Sequence, residues 1–88
     1  MKEVVRVKQD SQTAKVAQSI AIALRNQDQA TVTSAGQGAT YIAIKAIAAA
    51  EILVDKPIAV HVSFQHRDQA DTLNFSYLEF NLRKDLSE

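Results

Sequence analysis

The chain has 88 residues, 47% hydrophobic and 23% charged, which describes one ordinary globular domain with no length for a second core. Ten Lys and Arg balance ten Asp and Glu, excluding both a strongly basic histone-like binder and an acidic disordered tail. The absence of Cys excludes a disulfide framework, a thiolate nucleophile and a zinc–thiolate site, and suits a reducing, cytoplasmic setting.

Residues 3–8 read as a first strand, with Val5 and Val7 on one face and Arg6 and Lys8 on the other. No signal-peptide apolar core follows Met1. Asp10, Ser11 and Thr13 supply candidate helix caps. Over residues 14–26 the apolar period becomes helical: Val16, Ile20, Ala23 and Leu24 form one stripe, widened by Ala17 and Ala21, with Lys15, Gln18 and Arg25 off it. Residues 30–35 read as a second strand around Thr31, Val32 and Thr33, and Gly36-Gln37-Gly38 follows.

A second helix is expected over residues 39–54, rich in Ala, with Lys45 and Glu51 nearly its only charges. A helix apolar almost all round needs cover on more than one side, from the sheet and from the first helix or a second chain. Its apolar stretch, residues 42–54, is interrupted by those charges and reads as too short to span a bilayer. Pro57 ends the helix by biasing Lys56 away from helical angles.

Ile58, Val60, Val62 and Phe64 then alternate with Ala59, His61, Ser63 and Gln65, the pattern of a half-buried strand. A charged turn spans residues 66–71, and a last strand residues 72–83. In it Leu73, Phe75 and Tyr77 face one way and Leu78, Phe80 and Leu82 the other, which predicts a β-bulge or a hairpin arm packed on something else. A polar tail occupies about residues 84–88. The order β-α-β-α-β-β, with a right-handed βαβ unit and a closing hairpin, predicts a two-layer α/β sandwich.

Three stretches carry a family resemblance: Val5-Arg6-Val7 leading into Ser11; Val16-Ala17 continuing to Ala21, Leu24 and Arg25; and Gly36-Gln37-Gly38-Ala39 followed by Ala43, Lys45-Ala46, Ala48 and Ala50. With this element order, the chain resembles the stage V sporulation protein S family, whose members share the Alba-like fold of small chromatin and RNA-binding proteins. The resemblance implies an Alba-like domain over residues 1–88, nucleic-acid association and a dimer. The chain departs from the pattern in Thr40-Tyr41-Ile42, where the family usually has Leu-Asn-Gln, and in Glu51, where it usually has Arg. Where Alba proteins carry adjacent lysines before the first helix, this chain reads Asp10-Ser11-Gln12.

The candidate residues each have two readings. Gly36-Gln37-Gly38 is a structural turn or a seat for a backbone phosphate; Tyr41 stands at the third-glycine offset of a dinucleotide fingerprint, and no Walker lysine is present. Lys45 is a snorkelling cation or a phosphate or subunit contact. Arg6, Lys8 and Lys15 are solvated charge or, with Lys45 and the turn residue Arg67, a modest basic patch whose affinity falls with salt. Leu73, Phe75 and Tyr77 return to the core or anchor a second subunit.

His61 and His66 differ in strand parity and do not make a metal pair. No residue set forms a catalytic constellation, and no cofactor is expected. With the resemblance, the reading is a non-enzymatic, cytoplasmic nucleic-acid-binding or chromatin-associated regulatory protein, acting on DNA or RNA as the homodimer that the resemblance implies. The alternative is an assembly module that oligomerises or docks a protein partner through the second helix and the C-terminal hairpin.

Overall fold

A computed structural model of the chain describes residues 4–65 and 77–84. Its elements follow the expected order: β1 (Val4–Val7), α1 (Thr13–Gln27), β2 (Gln29–Ser34), α2 (Gln37–Val54), β3 (Ile58–Gln65) and β4 (Tyr77–Lys84). They form a two-layer α/β domain of the Alba-like kind, with one four-stranded sheet in the order β1-β2-β4-β3. β1 and β2 are parallel, pairing Val5 with Val32 and Val7 with Ser34 across the α1 crossover. β4 inserts between β2 and β3 and runs antiparallel to both, so Val32, Phe80 and Val62 form one row across three strands. The turn at 66–71 and Arg67, Leu73 and Phe75 lie outside the described residues. Where the parity changes, between Tyr77 and Leu78, β4 stays in regular register with β3 and no bulge intervenes, the two residues taking opposite faces as neighbours in a strand do.

The helical stripe of α1 is buried as its period requires: Val16, Ala17, Ile20, Ala21, Ala23 and Leu24 all face inward. All of them but Ala21 join one cluster with Val7, Val32, Leu78, Phe80 and Leu82 from the sheet and Ala39, Ala43, Ala46, Ile47 and Ala50 from α2. Ile20, Leu24, Leu82 and Val32 are the largest fully buried side chains, each contributing roughly 1.5–3 kcal/mol of transfer free energy.

The expected caps of α1 are not used. Gln12 is the N-cap and makes no side-chain cap bond. Ser11 instead turns back, its hydroxyl accepting the Lys8 amide at 2.8 Å while its own amide donates to the Lys8 carbonyl at 3.0 Å. A hydroxyl spent on closing this turn is not free to cap the helix. At its other end α1 stops on Asp28, in the left-handed region at φ 62°. Asp28 is held by Lys84 through both its backbone carbonyl (3.2 Å) and its carboxylate (3.0 Å).

α2 is longer than its apolar run suggested. Its 18 residues make it long and apolar enough, by length and composition, to cross a membrane. Here one face of it packs into the core while most of its residues are exposed or half-buried. Its alanine face is buried, Arg25 of α1 donates to the Leu53 carbonyl at 2.7 Å, and Glu51 accepts the Ile58 amide at 2.9 Å. Arg25 thus places a cation at the negative end of α2. Glu51 fixes the entry of β3, which gives this departure from the family pattern a structural role.

β3 departs from the half-buried expectation. In register with Leu82, Phe80 and Leu78, the side chains of Val60, Val62 and Phe64 share the helix-side face. Only Ile58 packs on the core; Val60, Val62 and Phe64 are 44%, 37% and 59% exposed. Among the described residues the helices do not reach far over this edge strand, and its three outer apolar side chains keep these exposures.

Candidate nucleic-acid interface

Because β1 and β2 are parallel, the loops that follow them emerge at the same end of the sheet. The first loop brings Lys8 and Gln9; the second brings Ala35 and Gly36. Gly36 takes φ 92° and ψ 161°, a conformation open at low cost to glycine alone. Gln9 of the first loop reaches the first turn of α2 at Gly38, where an added Cβ would lie 3.2 Å from Gln9 Cγ.

The start of α2 is fixed from inside. Thr40 donates its amide (3.0 Å) and its hydroxyl (2.8 Å) to the Gly36 carbonyl, and its hydroxyl lies 3.0 Å from that of the buried Ser34. The N-terminus of α2 has no side-chain cap and no acidic residue in its first turn, so the positive end of an 18-residue helix faces outward without a counter-charge of its own.

Two shallow hollows meet at Ala35. One, about 560 Å³, is formed by Gln9, the glycine loop and Tyr41. The other, about 510 Å³, is lined by Arg6, Lys8, Thr33, Tyr77 and Glu79 among others. Arg6, Lys8, Gly36, Gln37 and Gly38 are therefore brought to one end of the molecule. Lys15 is exposed in the first turn of α1, which starts at that same end.

Lys45 lies eight positions beyond Gln37, about 12 Å along the helix axis. Its ammonium sits 5.2 Å from the Tyr41 ring centroid, a cation–π contact that connects it to the glycine loop. Arg67 lies outside the described residues, as do Leu73 and Phe75. Tyr77 is exposed, on the sheet face opposite the buried Leu78, Phe80 and Leu82.

Sequence reading passed over Gln9 and Tyr41 as site residues. Tyr41 carried a signal, being the aromatic one helical turn before the lysine of an alanine-rich helix. Gln9 carried none, since its approach to Gly38 is a tertiary contact. Among the described residues no group of three His, Cys, Asp or Glu is placed to hold a metal ion.

The sequence profile of Stage V sporulation protein S (SpoVS) matches residues 3–66, from β1 through β3. The chain belongs to the SpoVS family. No curated protein matches it at a significant level. Lys8, Lys15, the glycine loop and Lys45 all lie inside the SpoVS match, whereas β4 lies beyond it. The loop end and α2 are thus the SpoVS-like part of the molecule, and the strand that completes the sheet is contributed by sequence outside the profile.

Proposed function

We propose that this SpoVS-family protein is a sporulation-type regulatory protein, non-enzymatic and cytoplasmic, that binds nucleic acid as a homodimer. The observation that carries the reading is the convergence of Lys8 with the uncapped N-terminus of α2 at the carboxyl ends of two parallel strands. A backbone phosphate at the glycine loop would meet helix amides and a nearby ammonium, with Lys15 and the Tyr41–Lys45 pair on the flanks. Each molecule offers few cations, so doubling the site in a dimer raises affinity through effective concentration. The exposed stripe of Val60, Val62 and Phe64, together with Ile44, Ile52 and Leu53 on α2, supports self-association.

The same apolar surface favours the second reading, an assembly module that docks protein and leaves nucleic acid alone. Phosphate binding weakens steeply with salt and apolar assembly does not. Fluorescence anisotropy of duplex DNA, single-stranded DNA and RNA with the nucleic-acid-free protein separates the two. Saturable binding is expected, with Lys8→Glu, Lys15→Glu and Lys45→Glu each weakening it and lowering the salt slope by about one. No binding to any of the three at low salt refutes the nucleic-acid reading and leaves the assembly module.

A further inference from the structure

One face of the sheet is covered by helices, and among the described residues no helix packs on the other, where Thr31 at the centre is nonetheless buried by its neighbours. On the open face the register aligns Gln29, Arg83 and Ala59 in one row, Thr31, Asn81 and His61 in the next, and Thr33, Glu79 and Ser63 in a third. Arg6, paired with Thr33, extends the third row onto β1. Neither of two hollows on this face, about 290 Å³ beside His61 and Arg83 and about 510 Å³ beside Arg6 and Tyr77, is lined by a helix residue. Whereas the whole chain is neutral, the described part of this face sets Arg6, Lys8 and Arg83 against the single carboxylate of Glu79. Asn81 bridges the centre, accepting from the Thr31 hydroxyl and donating to Glu79, both at 3.3 Å.

We infer that this open face is a platform for a single strand of nucleic acid. The inference rests on the nucleic-acid reading above and assigns it a strandedness and a second surface. The cations match a polyanion. His61 and Tyr77 are exposed rings, and Arg83 is an exposed guanidinium plane, the groups on which splayed bases stack. Gln29, Asn81 and Ser63 offer hydrogen-bonding groups to base edges. Ala59 and Ser63 keep the floor low between them. From Tyr77 to Arg83 the face runs six residues along β4, about 20 Å, the length of about six nucleotides at stacked spacing.

A duplex fits this face poorly. Four strands at about 4.8 Å spacing span roughly 15 Å of backbone alone, wider than a major groove of about 12 Å. Duplex binding therefore belongs to the loop end and single-strand binding to the sheet.

The test is an anisotropy titration of labelled oligo(dT), oligo(U) and a mixed-sequence DNA duplex against the full chain and its variants Arg83→Glu, Arg83→Gln and His61→Ala. Both positions, His61 and Arg83, are solvent-exposed, and circular dichroism checks that each variant folds. The expected result is a loss of roughly 5- to 100-fold in single-strand affinity for His61→Ala and of at least about tenfold for Arg83→Glu. Arg83→Gln should fall between, and duplex affinity should stay within about twofold of the parent. Comparison of oligo(dT) with oligo(U) shows which sugar is preferred. Unchanged single-strand affinity in these variants, with Lys15→Glu alone reducing it, overturns the platform and leaves the loop-end reading standing. Equal binding of polyglutamate overturns it as well, since charge alone then explains the face. Failure of every oligonucleotide to bind overturns both readings.

Discussion

The two glycines of the loop should respond to alanine in opposite directions. At Gly36, φ 92° and ψ 161° lie in a region that costs a side-chain-bearing residue about 1–3 kcal/mol. A Cβ there would meet nothing within 4 Å, so packing adds no cost or gain and the whole effect is in the backbone. Gly36→Ala should therefore destabilise the fold by about 1–3 kcal/mol. Gly38 is inside α2, where exchanging Gly for Ala is worth up to about 1 kcal/mol in the other direction. Its added Cβ would press on Gln9 Cγ at 3.2 Å, but Gln9 is exposed and can rotate away. Gly38→Ala should thus be neutral to about 1 kcal/mol stabilising. Urea unfolding by circular dichroism, at one fixed protein concentration, reads the difference. With m near 1 kcal/mol per molar for a chain this small, Gly36→Ala should lower the midpoint by about 1 M or more at unchanged m. An unshifted Gly36→Ala midpoint, or an equal loss in Gly38→Ala, would show that the strained turn is not what shapes this loop.

Other substitutions test the remaining parts of the account. Ala46 is fully buried between the helices and the sheet, so Ala46→Leu should cost about 1–3 kcal/mol by overpacking; a melt as stable as the parent would mean the helices are not closely apposed. Asp55 ends α2 at φ 57° and puts a carboxylate at the negative end of the helix. Asp55→Gly should raise stability by up to about 1 kcal/mol in thermal or urea unfolding, and a loss would refute this view of the terminus. Val62→Asp on the uncovered stripe should convert a dimer into a folded monomer by sedimentation velocity, and an unchanged oligomer would move the interface elsewhere.

Most of the elements were legible because they have a clean period, and α2, apolar almost all round, was legible from its alanine content and the proline that ends it. The α1 stripe and the Leu78, Phe80 and Leu82 triplet are buried as their spacing requires. Parity also placed Arg6 and Lys8 opposite Val7, and the glycines marked the loop. What the spacing of β3 could not show is its place at the sheet edge. An alternating strand reads the same whether or not helices cover it, and here Val60, Val62 and Phe64 remain exposed. The caps failed for a related reason. Ser11 has a hydroxyl suited to a helix N-terminus, and a competing turn takes it. The contact of Gln9 with Gly38 and the insertion of β4 between β2 and β3 are long-range pairings with no local signature.

The most direct test of the central claim is the salt dependence of nucleic-acid binding by the unmodified protein. If about three to five cations per bound site meet phosphates, log Kobs should fall linearly against log salt with a slope of about −3 to −4.5 on duplex DNA, and somewhat shallower on a single strand. A flat salt dependence, or no measurable complex at the lowest salt, would contradict the account and leave the apolar faces of β3 and α2 as the working surfaces of the molecule.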